Sequence, residues 1–477
     1  MLQKILVLAI FILAYLFIIK YYEKKHLIIW VFVFALLAST ILPPVTGLLA
    51  INWNVILLYF GMLFVSEVFL FSKMPDFLAV FFASKTSRIG MAMLVICALT
   101  GFLSILLENV ATVLLVAPIA LSIAKKCRVN AVPLFIGMAI SSNLQGAATL
   151  IGDPPSMILG GFKQMNFNDF FFISGRPGMF FAVQAGAIVS LFVLYFFFRK
   201  MNGKMPDLKK ESYISLVPTI FVILLIVALV FTSFFEEVMP FSAGAWCIIF
   251  GLIAYIWYVN HVRGNKIHIR AAAILLVFFI IGTLGSGVIN EKIFPLTFDL
   301  IWVLVAACTL LLLIRRKKDP LSGFLGSMDW HTGLFLIGIF ILVESLSSAG
   351  IISDIAGWMM KIAGANLLFA YLIIVWFSVL LSSFIDNVPY LVIMLPVAQA
   401  LTDQLGANPY ILFFGLLLGA SIGGNITPIG ASANIVAMGM ARKHGYSVSF
   451  MQFVKMGLPF TLVSMIVSTW FIWLVFS

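Results

Sequence analysis

The stretch NITPIGASANIVAMGMARKHG, Asn425 to Gly445, interrupts an otherwise apolar part of the chain. Its first dozen residues include proline, glycine, threonine, serine and asparagine but no charged residue. A second stretch, AATLIGDPPSMILGG from Ala147 to Gly161, has the same character. Because proline and glycine both break helices, each stretch predicts a helix that unwinds inside an apolar segment.

The composition around these stretches is typical of a polytopic helical membrane protein. Of the 477 residues, 63% are hydrophobic and 10% are charged, and apolar runs of about 18 or more residues recur. This argues against secreted, nuclear and nucleic-acid-binding proteins. The formal charge of +11 fits basic cytoplasmic loops better than an acidic partner. The four cysteines have no paired spacing and are interpreted as apolar fillers.

Hydropathy predicts about twelve spans and a multi-pass protein of the plasma (inner) membrane. Lysines rather than a cleavage site follow the first span, so we expect it to be retained. Placing those lysines in the cytoplasm puts 24 of the 29 Lys and Arg residues in cytoplasmic loops and both termini outside. The predicted spans are 5–20, 27–50, 54–72, 131–163, 178–198, 213–234, 240–259, 271–289, 297–314, 330–350, 408–441 and 456–476.

Two further apolar segments do not fit as single spans. Residues 90–124 would form a helix about 52 Å long, whereas a bilayer core is about 30 Å thick. Basic residues flank this segment on both sides, so it must enter and leave on the same face. We predict a re-entrant hairpin with its tip near 106–113. Residues 367–401 predict a second hairpin that enters from outside, with its tip near 384–391.

The two halves of the chain resemble each other at an offset of 277 or 278 residues, which predicts repeats over 27–200 and 297–477. Three predicted spans separate the repeats, and this odd number inverts the second copy in the membrane. Inverted repeats with broken helices are typical of secondary transporters that hold substrate near the midplane. The matching pairs are Trp53/Trp330, Gly61/Gly338, Glu67/Glu344, Glu108/Asp386, Asn109/Asn387, Pro118/Pro396, Gly137/Gly415, Gly146/Gly424, Thr149/Thr427 and Gly152/Gly430.

The opening stretches are therefore interpreted as equivalent breaks, at 147–156 and 425–434, in two helices that are too long for one span. Unwinding frees backbone carbonyls and amides, and the half-helix ends add partial charges. With neighbouring Thr, Ser and Asn side chains, these groups can coordinate a small ion. The alternative is a kink that only improves helix packing.

Five acids lie in apolar segments, and no Lys, Arg or His is predicted there: Glu67, Glu108, Asp153, Glu344 and Asp386. Each buried charge costs at least about 2.5–3.5 kcal/mol, so the acids must be protonated, bind a cation or face water. Glu108 and Asp386 are predicted functional groups at the hairpin tips. Asp153 is either an N-cap before Pro154 or a ligand. Glu67 and Glu344 lie nearer the span ends, where structural pairing is equally consistent.

The tips and breaks together define a predicted site for a small ion substrate, with H⁺ or Na⁺ as the coupling ion and no cofactor. Na⁺ would be held by Asn109, Thr149, Asn387 and Thr427. The predicted substrate- and ion-binding residues are Glu108, Asn109, Thr149, Gly152, Asp153, Ser156, Asp386, Asn387, Asn425, Thr427, Gly430, Ser432 and Asn434.

Three motifs resemble the ion transporter superfamily, within its arsenite permease, P protein and citrate-permease-like branch. They are GDPPSMI at Gly152 to Ile158, DNVPYLVIMLP at Asp386 to Pro396, and GGNITPIGASANIVAMGMARKHGYSVSF at Gly423 to Phe450. They look most like the P-protein group, and the likeness covers both predicted repeats. At the hairpin tips, where dicarboxylate carriers of the superfamily have a Ser-Asn-Thr triplet, this chain has an acid followed by Asn, which argues against a carboxylate substrate.

The resemblance implies an all-α elevator transporter that forms a homodimer. By position, the scaffold would be 1–87 and 201–361, and the transport domain 88–200 and 362–477. The stretches 73–87 and 351–366 resemble the horizontal linker helices of that fold.

The sequence thus predicts a secondary active transporter in the lipid bilayer, with symport and antiport both open. One alternative is arsenite or antimonite efflux, since a neutral hydroxide would not require a thiol site. An ion channel is another, although two unwound helices at one midplane site suit occlusion better than an open pore. The spans contain no HExxH motif and no His-rich metal spacing, so an enzyme is not predicted.

Overall fold

The computed structural model describes residues 2–21, 24–201, 203–205, 211–235, 241–262, 269–270, 272–277, 279–280, 324, 326, 328–364 and 366–477. These residues are mainly helical, with one short antiparallel sheet formed by β1 (Phe172–Ile173) and β2 (Arg176–Pro177). The predicted helical membrane class is confirmed, because ten of the described helices are long and apolar enough to cross a bilayer.

Ten α-helices lie between Leu2 and Phe198 among the described residues. They are α1 (Leu2–Lys20), α2 (Lys25–Ala38), α3 (Pro44–Leu49), α4 (Trp53–Phe71), α5 (Met74–Ser84), α6 (Ile89–Ser104), α7 (Asn109–Cys127), α8 (Val132–Gly146), α9 (Pro154–Lys163) and α10 (Met179–Phe198).

Further along the chain, α11 and α12 precede the helices of the second predicted repeat. The ranges are α11 (Val217–Phe234), α12 (Ala243–His261), α13 (Trp330–Ser348), α14 (Ile351–Ala363), α15 (Leu367–Ser382), α16 (Asn387–Leu405), α17 (Pro409–Gly423), α18 (Ser432–Lys443) and α19 (Phe450–Phe476).

One predicted span, 27–50, is wrong as a single helix. α2 ends at Ala38 and α3 begins only at Pro44. The adjacent Pro43 and Pro44 have no amide hydrogen and disfavour a helical residue before them, so the helix cannot run through. The predicted spans 271–289 and 297–314 lie largely or entirely outside the described residues.

The overlong apolar segments are interrupted where the sequence predicts. α6 gives way to α7 at 105–108, here called tip one, and α15 gives way to α16 at 383–386, called tip two. The first unwound segment, 147–153, separates α8 from α9. The second, 424–431, separates α17 from α18 and begins with a turn of 3₁₀ helix. Four helix breaks therefore supply the non-helical backbone from which a site can be built.

The glycines of the unwound segments are needed for close backbone approach. A Cβ added to Gly152 would lie 2.4 Å from the Gly146 carbonyl oxygen, and one added to Gly430 would lie 2.6 Å from the Gly424 oxygen. Any side chain at either position would push the segment open. Both glycines thus contribute through their backbone and their lack of a side chain.

α4 and α12 pack in parallel, with glycines at their contact. The Gly244 amide near the start of α12 donates to Asn54 Oδ1 near the start of α4 (2.9 Å). Further along, a Cβ on Gly61 would lie 2.3 Å from the Cys247 carbonyl carbon. Small residues allow such close contact between membrane helices, where dispersion and polar contacts drive packing.

Gly61→Ala is therefore expected to destabilise the protein by about 1–3 kcal/mol, because the added methyl must move the backbone of α12. The melting temperature of purified protein in detergent measures this effect. Gly357→Ala in α14 is the matched control, since its Cβ would meet no heavy atom within 4 Å. Equal melting temperatures for the two variants would show that α4 and α12 do not pack this closely.

Candidate functional site

Tip one is held by hydrogen bonds from polar side chains on both of its flanks. Glu108 caps α7, because its Oε2 accepts from a backbone N–H in the first turn (2.9 Å). Ser104 Oγ lies 2.6 Å from Asn109 Oδ1. Thr149, in the first unwound segment, donates to the carbonyl oxygen of Ile105 (2.5 Å). The tip and the unwound segment are therefore fastened together.

Tip two has the same contacts 278 residues later in the chain. Asp386 caps α16 by accepting from a backbone N–H of the first turn (3.3 Å). Ser382 Oγ lies 2.7 Å from the side-chain amide of Asn387. Thr427, in the second unwound segment, donates to the Ser383 carbonyl oxygen. The positions matched by sequence thus make matching contacts, although every contact lies within its own half.

The asparagine after each acid also contacts the neighbouring broken helix. The Asn387 Nδ2 group, oriented to satisfy its neighbours, donates to the carbonyl oxygens of Ala420 (3.0 Å) and Gly430 (3.1 Å). In the first half, Asn109 Nδ2 lies 3.4 Å from Asn143 Oδ1. Each tip is thereby linked to α8 or α17 as well as to an unwound segment.

A buried asparagine network joins the two halves. Asn143 in α8 donates to Asn425 Oδ1 and to Asn434 Oδ1, both at 2.9 Å. Asn425 in turn donates to the Ile140 carbonyl oxygen (3.1 Å). Asn434 donates to the Thr427 carbonyl oxygen (2.9 Å). All three asparagine side chains are buried, so the network fixes the second unwound segment against the first half of the chain.

Asp153 is the N-cap of α9, which is one of the two roles that the sequence left open. Its Oδ1 accepts from the Ser156 backbone N–H at 2.8 Å. The carboxyl is buried, and its second oxygen accepts no well-directed hydrogen bond from the described residues. Ser432, the first residue of α18, lies at the start of the corresponding half-helix.

A buried ion pair connects tip two to the start of α2. Lys25 Nζ lies 2.7 Å from Asp386 Oδ2, and each side chain is only 8% exposed. The expectation that no base lies near the membrane acids is therefore wrong for Asp386. Lys25 belongs to the first turn of α2 and not to a cytoplasmic loop, because the helix begins at that residue.

The start of α2 lies deep because it packs beside the start of α13. His26 and His331, each the second residue of its helix, stack with ring centroids 4.0 Å apart. Trp330 packs on Phe60 and Phe64 at centroid distances of 5.3 and 6.3 Å. Those two phenylalanines lie about 10–16 Å along α4 from its first residue. His26 is half-buried and His331 is exposed, so Lys25 is the base that these contacts bury inside the helical bundle.

The other two acids make contacts elsewhere. Glu344 accepts a hydrogen bond from Ser348 (2.9 Å) near the end of α13, and the pair is exposed. Glu67 in α4 lies near Tyr258 of α12. The hydrogen bond from Ser348 within the same helix therefore gives Glu344 a structural role.

Sequence reasoning missed two site residues. Asn143 was missed because its counterpart at the 278-residue offset is Ser421, and the comparison of halves selects identical or similar residues. A lone asparagine in an apolar helix was the available signal. Lys25 was missed because it closes a run of lysines that reads as a loop, and the sequence holds no local signal that the helix begins there.

Thr149→Val is expected to raise the half-saturation for the transported or coupled ion by up to about tenfold, because it removes a hydrogen bond worth about 0.5–1.5 kcal/mol and a hydroxyl that is predicted to be an ion ligand. Thr427→Val should act alike in the second half. Thr149→Ser retains the hydroxyl and is the matched control. Concentration-dependent flux in proteoliposomes is the measurement. If the half-saturation for every coupled species is unchanged in both valine variants, the two hydroxyls are not ion ligands and contribute only to packing.

Comparison with known proteins gives one matching family model and several relatives. The model, described as a citrate transporter, matches residues 7–414 and 288–477. An uncharacterized transporter of Mycobacterium tuberculosis is 28% identical over 427 residues, which cover 89% of this chain and 86% of the relative. An uncharacterized transporter of Synechocystis is 28% identical over 479 residues, covering 95% and 94%. The Homo sapiens P protein is 27% identical over 455 residues, covering 87% of this chain and 52% of the P protein.

Among solved structures, the chain is similar to the YdaH transporter of Alcanivorax borkumensis. The TM-score is 0.50 at 14% identity, with 88% of this chain and 84% of that chain covered. At this identity the similarity concerns the fold alone.

Proposed function

The chain belongs to the citrate transporter family and is a multi-pass membrane transporter, and on that premise we propose that it moves a small inorganic or organic ion by secondary active transport coupled to H⁺ or Na⁺. The resemblance to the ion transporter superfamily, with P protein among the relatives, is confirmed. The bacterial relatives indicate the plasma membrane.

The observation that carries this proposal is the junction of two similar half-sites. Each half supplies a tip, an unwound segment and a threonine that joins them. The Asn143 network then holds the second unwound segment against α8. An ion held at such a junction is coordinated by non-helical backbone and small polar side chains, which is the arrangement typical of secondary transporters.

We also propose that the halves are inverted repeats. In that arrangement the hairpins α6–α7 and α15–α16 open to opposite faces. Single cysteines at the exposed Ser87 and Lys361, in an active variant without the native cysteines, should react with an impermeant thiol reagent from opposite sides of the membrane. Labelling of both positions from one side would overturn the inverted arrangement.

The proposed motion is that of an elevator. Residues 88–200 and 362–477 form the transport domain, and residues 1–87 and 201–361 form the scaffold with the homodimer contact. The helices α5 and α14 occupy the stretches proposed as linkers. In this division the Lys25–Asp386 ion pair crosses from scaffold to transport domain, so it must break or exchange partners during the movement.

Glu108 and Asp386 are the proposed coupling groups. Glu108 is buried and has no ion-pair partner among the described residues, whereas Asp386 already has Lys25. The described chain offers no cluster of three or more His, Cys, Asp or Glu side chains for a metal ion. A Na⁺ ion at the tips would instead use hydroxyl, amide and carbonyl oxygens, which Asn109, Thr149, Asn387 and Thr427 supply.

The function is tested with purified protein in proteoliposomes under an imposed pH or Na⁺ gradient. Citrate, other organic anions, inorganic oxyanions, arsenite and inorganic cations are each supplied alone. We expect one class to accumulate against its own gradient, with saturable uptake that stops when the imposed gradient is collapsed. Uptake that does not saturate and only follows the solute's own gradient would indicate a channel and contradict secondary active transport.

A further inference from the structure

We infer that Asp153, Ser156 and Ser421 form a Na⁺ site distinct from the hairpin tips, between the start of α9 and the end of α17. This inference rests on the proposed function, and it locates the coupling Na⁺ in this pocket instead of at the hairpin tips. The three residues come from both halves of the chain, since α17 packs directly against α8 and α9.

The pocket presents oxygen atoms without partners. Asp153 is 1% exposed, and Ser156 and Ser421 are fully buried. The Asp153 carboxyl faces both serine side chains. Nevertheless its Oδ2 atom and both hydroxyl oxygens lack a well-directed hydrogen bond to any described residue. Only Oδ1 is used, as the cap of α9.

Such a group is costly unless something binds to it. Burial of an ionised carboxylate without a partner is strongly unfavourable, and each buried hydroxyl without a hydrogen bond adds about 1–3 kcal/mol. No Lys or Arg pairs with Asp153 in the part of the chain that the structure describes. A cation with oxygen ligands would remove all three penalties together. One carboxylate with two neutral hydroxyls carries a single negative charge, which a monovalent cation neutralises.

The other half of the molecule shows how the same positions look when they are filled. At the 278-residue offset, Ser421 corresponds to Asn143 and Ser156 to Asn434. There the Asn143 Nδ2 group donates to Asn434 Oδ1 at 2.9 Å, so an N–H donor occupies the space between the two side chains. Asp153 corresponds to Ala431, which has no charge to neutralise. In the second half-site an amide N–H group fills the space between the side chains. In the first half-site the same space is lined only by two hydroxyl oxygens and a carboxylate.

The location suits a coupling ion. The charge of Asp153 acts on Glu108 at tip one, so the two acids share one electrostatic environment. A cation at Asp153 would reduce the repulsion on an ionised Glu108. A cation in the pocket would therefore change the charge state that Glu108 favours at tip one, without itself contacting the substrate.

Thermal unfolding of the purified full-length protein tests this site without any substrate. The melting temperature is measured in NaCl and in choline chloride at equal ionic strength, because a ligand that binds only the folded protein raises it with concentration. We expect a saturable rise with Na⁺ in the wild type, no rise in Asp153→Asn, and about a tenfold higher half-saturating Na⁺ concentration in Ser421→Ala. Ser141→Ala is the matched control, because Ser141 is also a buried serine without a hydrogen-bond partner, and it should respond as the wild type does.

Three results would overturn the site. The first is that Na⁺ stabilises the wild type no more than choline does. The second is that Asp153→Asn and Ser421→Ala both keep the Na⁺ response of the wild type, and the third is that acid pH alone stabilises the wild type but not Asp153→Asn. The last would make the occupant a proton. Gradient-driven uptake in a protein that Na⁺ does not stabilise would refute this site and leave the proposed function intact. Na⁺ binding without any gradient-driven uptake would support this site and refute the proposed function.

Discussion

Replacing Lys25 alone with methionine should destabilise the protein by about 3–5 kcal/mol, because it leaves the Asp386 carboxylate buried without its partner. Asp386→Asn alone should have a similar effect, since it strands the buried ammonium group. The double variant Lys25→Met/Asp386→Asn removes both charges and should recover most of the lost stability. The two side chains are 8% exposed and 2.7 Å apart, so little water is available to substitute for either partner.

This double-mutant cycle is read from the melting temperature and from the yield of monodisperse protein after solubilisation. Lys361→Met is the matched control, because Lys361 is an exposed lysine in α14 and should tolerate the change. Additive losses in the double variant would mean that the two residues act independently. Single variants as stable as the control would show that the pair is solvated and contributes little.

The sequence predicted the helix breaks and the contacts that recur at the 278-residue offset. Thr149 and Thr427 were matched by spacing alone, and both fasten an unwound segment to a tip. The helix breaks were predictable for a local reason, because glycine, proline and small polar residues disfavour helix wherever they cluster. Local chemistry and the offset together placed both tips and both unwound segments within the correct stretches.

The missed features are those that depend on packing between distant segments. Hydropathy treats 27–50 as one apolar run, but two adjacent prolines divide it. The depth of Lys25 follows from the packing of α2 along α13, which no local pattern in the sequence reports. Asn143 is important because it differs from its counterpart Ser421. A comparison that selects similar residues in the two halves cannot identify a position at which they differ.

The two half-sites differ in how their acids are paired, which suggests that they contribute differently to coupling. Tip two has a lysine counter-charge for its acid, whereas the asparagine network contacts both half-sites, because Asn143 accepts from Asn109 and donates to Asn434. Tip one has Glu108 and, beyond it, Asp153, with no ion-pair partner for either in the described chain. Exchange of a cation is easier where no resident base competes for the carboxylate. We therefore expect coupling to depend more on the first half-site than on the second.

Glu108→Gln should accordingly abolish gradient-driven accumulation while leaving exchange of substrate across the membrane. Glutamine keeps the size of the side chain and can still cap α7, but it cannot ionise. Burial favours the neutral form of a carboxyl, and a bound cation favours the ionised form, so Glu108 can exchange one state for the other as access alternates. One charge moved through 100 mV is worth about 2.3 kcal/mol, or roughly a fifty-fold gradient. Loss of the charge should reduce accumulation from that order to near equality.

The measurement is uptake in vesicles with an imposed pH or Na⁺ gradient, compared with counterflow exchange in the same preparation. Glu344→Gln is the control, because Glu344 is another acid in an apolar segment and pairs with Ser348 away from the tips. For Asp386 the informative protein is Lys25→Met/Asp386→Asn, which removes the acid without stranding a buried lysine. Accumulation that still follows the gradient in both Glu108→Gln and this double variant would exclude the two acids as charge carriers and assign them to capping their helices, the role that their hydrogen bonds already show.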